Sequence, residues 1–148
     1  MVATTDAGED LLALDNQVCF ALAVASRSVI ALYRPLLEPL GVTHPQYLVL
    51  LALWGRDGMT MGELSSTLRL EPATLSPLLK RLEAIGYVSR GRRPSDERVL
   101  EVTLTQAGHD ARATAERIPA QVVERLGLPM ERLESLRDAL HLIIAASA

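Results

Sequence analysis

One thiol and one cluster of guanidinium groups carry most of the chemistry available to this chain of 148 residues. Cys19, the single cysteine, sits in the apolar run Val18-Cys19-Phe20-Ala21-Leu22. A lone thiol cannot close an intrachain disulfide, so its covalent chemistry is oxidation or a bridge to another chain or a small thiol. The plainer alternative is service as a small buried hydrophobe. About seventy residues downstream, Arg92, Arg93 and Arg98 surround the turn-rich stretch Gly91-Arg92-Arg93-Pro94-Ser95-Asp96-Glu97. Such a tip either grips phosphate or merely solvates a hairpin. His44, His109 and His141 are scattered and, with one cysteine, give no metal-ligand spacing. No metal or other cofactor is expected.

These groups need a scaffold. Hydrophobic residues make up 49% and aromatics 3%, so the core must be built from Leu, Ala, Val and Ile, a composition that favours helix. A mainly α chain is expected. Residues 1–10 read as a loose arm. From about Leu11 to Leu40 runs a Leu- and Ala-rich helical pattern, apolar on more than one face, with Pro35 and Pro39 near its end and Gly41 as a stop. Thr43 with Gln46 forms a capping box for a second helix through about Trp54, with Pro45 tolerated in its first turn. Thr60 with Glu63 repeats the box for a short third helix, and Pro72 opens a fourth that stops at Gly86.

Two short helices, roughly 60–69 and 72–85, joined by a tight turn make a helix-turn-helix. Two β-compatible runs follow, Tyr87-Val88-Ser89-Arg90 and Val99-Leu100-Glu101-Val102-Thr103-Leu104, which predict a two-stranded hairpin with a charged tip. Thr105 caps a long helix broken near Pro119. Pro129 opens a last amphipathic helix carrying Leu133, Leu136, Leu140 and Ile144.

The fourth helix has the composition of a DNA reading head. Ala73, Thr74 and Ser76 are short enough to reach base edges, and Lys80 and Arg81 can reach phosphates. Pro77 lies inside this helix, where its missing N–H leaves the Ala73 carbonyl without a bond. Arg92, Arg93 and Arg98 are placed for a wing in a minor groove, and Asp96 is expected to pair with a wing arginine and fix its direction. The overall charge is −3, yet the stretch from Lys80 to Arg98 holds six basic and three acidic residues. That balance excludes a protein coating nucleic acid over its whole surface and permits a local patch. The N-terminus lacks the basic flank of a signal peptide, and Arg27 interrupts the Val18–Leu32 stretch, so a cytoplasmic location without a membrane role is expected.

The helix-turn-helix, the wing segment Asp96-Glu97-Arg98, the following Val102-Thr103-Leu104-Thr105 and Gly108 together resemble the winged-helix MarR family of bacterial regulators. The resemblance covers nearly the whole chain. It implies a winged helix at about 43–105 and a homodimer whose helices at about 11–40 and 106–146 interlock, all within one domain spanning 11–148. Two-fold symmetry then implies double-stranded DNA with a pseudo-palindromic operator.

The runs Leu14-Asp15-Asn16-Gln17-Val18-Cys19-Phe20, Tyr33-Arg34-Pro35-Leu36-Leu37 and Thr43-His44-Pro45-Gln46-Tyr47-Leu48 resemble the organic-hydroperoxide-sensing branch of that family, the OhrR type. In that branch the matching cysteine is the peroxide-reactive thiol, activated by hydrogen bonds from two tyrosines. Tyr33 matches one of them. His44 stands where the second belongs, either donating to Cys19 or filling space. On one continuous helix Cys19 and Tyr33 would be about 21 Å apart, so Tyr33 would have to serve the partner subunit's thiol. Otherwise Tyr33 is an interface residue with its hydroxyl in water, and Tyr47 is expected in the core.

The resemblance implies a repressor, not an enzyme, that releases its operator when an organic hydroperoxide oxidises Cys19, with a mixed disulfide to a low-molecular-weight thiol or over-oxidation to follow. Two rivals stand beside it. One is release by a non-oxidising small aromatic or lipidic ligand in the apolar seam. The other, of a different class, is a thiol peroxidase that uses Cys19.

Overall fold

In the computed structural model, which describes residues 11–147, the chain is a run of helices around a small antiparallel sheet. The arm expected at residues 1–10 lies outside the described residues. A 3-10 turn at Leu14–Asn16 leads into α1, Val18–Leu37, and a second at Glu38–Leu40 ends at Gly41 in the left-handed region, φ 71°. Helices α2 (His44–Gly55), α3 (Met61–Leu68) and α4 (Pro72–Ile85) follow. Strands β1 (Met59–Thr60), β2 (Val88–Arg93) and β3 (Asp96–Leu104) form one sheet in the order β1-β3-β2. Helices α5 (Gln106–Ala115), α6 (Ile118–Leu126) and α7 (Met130–Ser147) complete the chain.

Both capping boxes form. Thr43 N–H donates to Gln46 Oε1 at 3.0 Å, and Thr60 N–H donates to Glu63 Oε1 at 2.9 Å while Glu63 N–H donates to Thr60 Oγ1 at 3.1 Å. Each pair occupies backbone donors that a helix start otherwise leaves open. The sheet has one strand more than expected, because Met59 and Thr60 pair with Val102 and Glu101. The wing strands also reach further into the tip, where Arg93 pairs with Asp96 across Pro94 and Ser95 after a bulge between Arg92 and Arg93.

The core lies inside the winged helix. Leu50 and Leu53 of α2, Leu64 of α3, and Leu75, Leu79 and Leu82 of α4 are fully enclosed with Val88 and Val102 of the sheet. Cutting one of these leucines to alanine costs about 2–5 kcal/mol by the general cavity rule. Tyr47 is 3% exposed, as expected of a core residue. The outer helices behave differently. Of α1 only Leu36 and Leu37 are buried, and α7 has no buried residue. The segment Val18–Leu40, with mean hydropathy 1.4, is by length and composition long and apolar enough to cross a membrane. Its C-terminal end is packed into the winged helix through Leu36, Leu37 and Leu40.

The wing and α5 meet at a tight elbow. Thr105 N–H donates to the Tyr87 carbonyl at 3.0 Å, Thr105 Oγ1 accepts from Gly108 N–H at 3.1 Å, and Trp54 Nε1–H donates to the Gly108 carbonyl at 2.9 Å. A Cβ on Gly108 would lie 2.1 Å from the Tyr87 carbonyl oxygen and 3.1 Å from Leu104 Cδ2. Only glycine fits. Gly108→Ala is therefore expected to destabilise the chain by about 3 kcal/mol, an overpacking against backbone that no rotamer relieves, with the denaturation midpoint as the measure.

Candidate nucleic-acid interface and thiol site

Helix α4 divides cleanly. Its Leu75, Leu79 and Leu82 are buried, while Ala73, Thr74, Pro77, Lys80 and Arg81 are exposed and Ser76 is half-buried. The exposed positions recur near helical spacing and form one face, because the three leucines commit the opposite face to the core. The sequence-predicted reading residues are thus brought together on one surface. Pro77 lies inside α4, as expected.

The wing arginines separate into two groups. Arg98 Nε–H donates to Asp96 Oδ1 at 3.1 Å, and this pairing holds the Asp96 carboxyl below its ordinary range. Arg98 itself is 90% exposed at the tip. Arg92 is exposed and has no carboxylate at ion-pair distance among the described residues. Arg93 corrects the expectation of a third outward arginine. Its Nε–H donates to Glu101 Oε2 at 2.8 Å, and a second guanidinium nitrogen lies 3.9 Å from Glu63. Glu63 also pairs with Arg56 at 2.8 Å, and the backbone hydrogen bond from Thr60, more than Arg56, holds its carboxyl below the ordinary range. Arg93 braces the wing against the start of α3.

Sequence reasoning missed this brace and a second one at Asp57. Asp57 Oδ1 accepts from Leu104 N–H at 2.8 Å and from Gly58 N–H at 2.9 Å, and its other oxygen lies 3.3 Å from His109 Nε2. His109, assigned no role above, thus tethers α5 to the loop after α2. The one available signal was an aspartate beside a glycine, a common turn pairing.

Cys19 and Tyr33 both lie on α1, so the fourteen-residue separation along one helix stands and they cannot meet within a chain. Cys19 is exposed near the helix start. At the other end Tyr33 packs against His44 with tilted rings whose centroids are 4.7 Å apart, and the Tyr47 ring centroid lies 5.8 Å from that of Tyr33. Burial raises the Tyr33 hydroxyl pKa and lowers that of the His44 imidazole. Beside them is a cleft of about 250 Å³ lined by Ile30, Arg34, Leu37, Val42, Thr43 and His44. Two of the three predicted thiol-site residues are together, and the third is on the same uncovered helix.

The lowered His44 pKa has a measurable consequence. Unfolded chain takes up the imidazole proton near 6.5, whereas the folded chain resists protonation until lower pH. The contribution of neutral His44 is therefore present above pH 6.5 and lost as pH falls through the folded value. A His44→Gln chain is expected to show a flatter fall in stability from pH 7 to about 5 than the parent, measured by denaturant titration.

A helix-turn-helix with an exposed polar and basic face, followed by an arginine-tipped wing, defines a winged-helix DNA-binding architecture. The comparisons with known proteins place it. Residues 42–100 match the MarR family. A transcriptional regulator of Methylorubrum extorquens, the HTH-type regulator TtmR, is 40% identical over 140 residues, covering 90% of this chain and 72% of that protein. The organic hydroperoxide resistance transcriptional regulator of Bacillus subtilis is 37% identical over 135 residues, covering 91% and 92%. Among solved structures, reduced AbfR bound to DNA, from a protein of Staphylococcus epidermidis, superposes with TM-score 0.76 at 33% identity, covering 97% of this chain and 99% of that one. Overoxidized AbfR has also been solved bound to DNA, with TM-score 0.69 at 36% identity, covering 90% and 98%.

The chain belongs to the MarR family of transcriptional regulators. Its relatives are regulators rather than enzymes, which sets the peroxidase reading aside.

Proposed function

We propose that the chain is a cytoplasmic homodimeric repressor whose reduced form holds a pseudo-palindromic operator and whose Cys19 is the sensor of organic hydroperoxides. The exposed face of α4 enters successive major grooves of the two half-sites, and Arg92 and Arg98 reach the adjoining minor grooves. The observation that carries this reading is that the helix bearing Cys19 is apolar and almost wholly uncovered, while its far end is anchored in the winged helix. A second copy covering α1 and α7 would bring each Cys19 towards the Tyr33 and His44 pair of its partner.

The chemistry balances without a cofactor. The Cys19 sulfur attacks the distal peroxide oxygen, an S–O bond forms, the O–O bond breaks, and the leaving alkoxide takes a proton and departs as an alcohol. Sulfur is oxidised by two electrons to a sulfenic acid. A low-molecular-weight thiol then condenses with it, forming an S–S bond and releasing water. The overoxidized AbfR structure on DNA favours this mixed disulfide, rather than further oxidation, as the releasing form here. The added group would occupy the seam at Cys19 and bias the dimer towards an arrangement in which the two α4 helices no longer match their grooves.

The test is binding to a promoter fragment over a salt series, before and after hydroperoxide with a small thiol. Affinity is expected to fall at least about tenfold, or about 1.4 kcal/mol, on treatment. Equal affinity in both states contradicts the sensing half. A second reading is supported by a cleft of about 350 Å³ with Tyr47, Leu51, Trp54 and Arg112 in its lining, suited to a small aromatic acid. Release by a non-oxidising phenolic acid, undiminished in Cys19→Ser, would select it.

A further inference from the structure

We infer that Arg69, in the turn of the helix-turn-helix, is a phosphate-contacting residue that anchors the operator backbone beside the recognition helix. The inference rests on the DNA-binding reading above and adds a contact which that reading lacks.

Arg69 is the one non-glycine residue with positive φ among the described residues, at 55°. It closes α3 as a left-handed cap, the position at which glycine is free of strain and is commonly found. The backbone does all that the turn requires. Leu70 N–H donates to the Ser65 carbonyl at 3.0 Å, Arg69 N–H reaches the Ser66 carbonyl at 3.4 Å, and the Ser65 hydroxyl donates to the Leu70 carbonyl. Glycine would satisfy every one of these bonds at lower conformational cost. The Arg69 side chain is exposed, and no carboxylate lies at ion-pair distance from it among the described residues, whereas Arg56, Arg90, Arg93 and Arg98 are each paired. A strained backbone position is thus occupied by a cation that makes no ion pair among the described residues.

Its place says what the side chain meets. Arg69 lies two residues before the N-cap Glu71 and four before Ala73, in the turn that delivers α4 to the exposed face holding Thr74, Lys80 and Arg81. When the start of a recognition helix enters a major groove, the turn ahead of it overlies the sugar-phosphate strand bordering that groove. The planar guanidinium is suited to a phosphodiester there. The contact contributes affinity and register and carries no base sequence.

The experiment is a salt series of duplex binding by parent, Arg69→Gly and Arg69→Lys chains, with an operator fragment and a scrambled duplex of equal length. Arg69→Gly is expected to weaken both duplexes by about fivefold to tenfold at low salt. It should also reduce the log–log salt slope by about two for a dimer, one contact per protomer. The preference for operator over scrambled duplex should stay as in the parent. The melting temperature should be unchanged or raised by about 2–4 °C, since the left-handed strain is relieved. Arg69→Lys, which keeps the charge, should retain most of the slope. An unchanged slope in Arg69→Gly overturns the phosphate assignment, and so does a loss confined to the operator fragment. Absence of duplex binding by the parent would instead overturn the DNA-binding reading, and this inference with it.

Discussion

Placing charge on the uncovered apolar face of α7, as Leu136→Glu combined with Ile143→Glu, is expected to turn the protein into a monomer and weaken operator binding by at least about 100-fold. The two side chains are 51% and 40% exposed in the isolated chain, so the substitutions cost the monomer's own core little. A second copy packed on that face would instead have to bury two carboxylates without partners, at several kcal/mol each. Operator affinity follows because a two-fold protein holds both half-sites together. A single reading head loses one half of the contacts and the advantage of tethering, and a change of about 2.7 kcal/mol already amounts to 100-fold. Sedimentation gives the mass and anisotropy the affinity. A substituted chain that stays dimeric, or a monomer that binds as the parent does, contradicts the proposed seam.

The second large effect is expected at Cys19. Cys19→Ser keeps a small side chain at an exposed position of α1, so the fold and reduced-state affinity should stay near the parent's. Its response should vanish. Where hydroperoxide and a small thiol weaken the parent at least about tenfold, the serine chain should lose less than about twofold, because an alcohol forms neither sulfenic acid nor disulfide. Parent-like release by Cys19→Ser would move the sensing to another group or to the aromatic-lined cleft.

Much of the reading head was legible because its signals are local. The boxes at Thr43 with Gln46 and at Thr60 with Glu63 place helix starts through bonds between residues three apart, and the structure forms both. Strand β1 was not legible. Two residues carry no periodicity, and their partners Val102 and Glu101 lie some forty positions away. The same distance in sequence hid the braces. Nothing near Arg93 in the chain announces Glu63, and nothing near Asp57 announces Leu104 N–H or His109. Arg93 and Arg92 are adjacent and chemically identical, and strand alternation separates them: Arg93 shares the face of Gly91, whose cross-strand partner is Glu101, while Arg92 lies on the other face and stays exposed.

The thiol site was legible in a different way. The residue runs around Cys19, Tyr33 and His44 carried a resemblance, but on the physics of one chain they do not converge, since Cys19 and Tyr33 are at opposite ends of α1. The helical rise per residue already required a second subunit to bring them together. The uncovered face of the same helix supplies a surface for it.

The most direct measurement oxidises the protein partially with an organic hydroperoxide and a small thiol, separates DNA-bound from free protein, and determines the mass of each fraction. The account predicts that the free fraction carries the mixed-disulfide adduct on Cys19, that the bound fraction is reduced or over-oxidised without an adduct, and that a reductant returns the free fraction to DNA. Equal amounts of adduct in the bound and free fractions would contradict it.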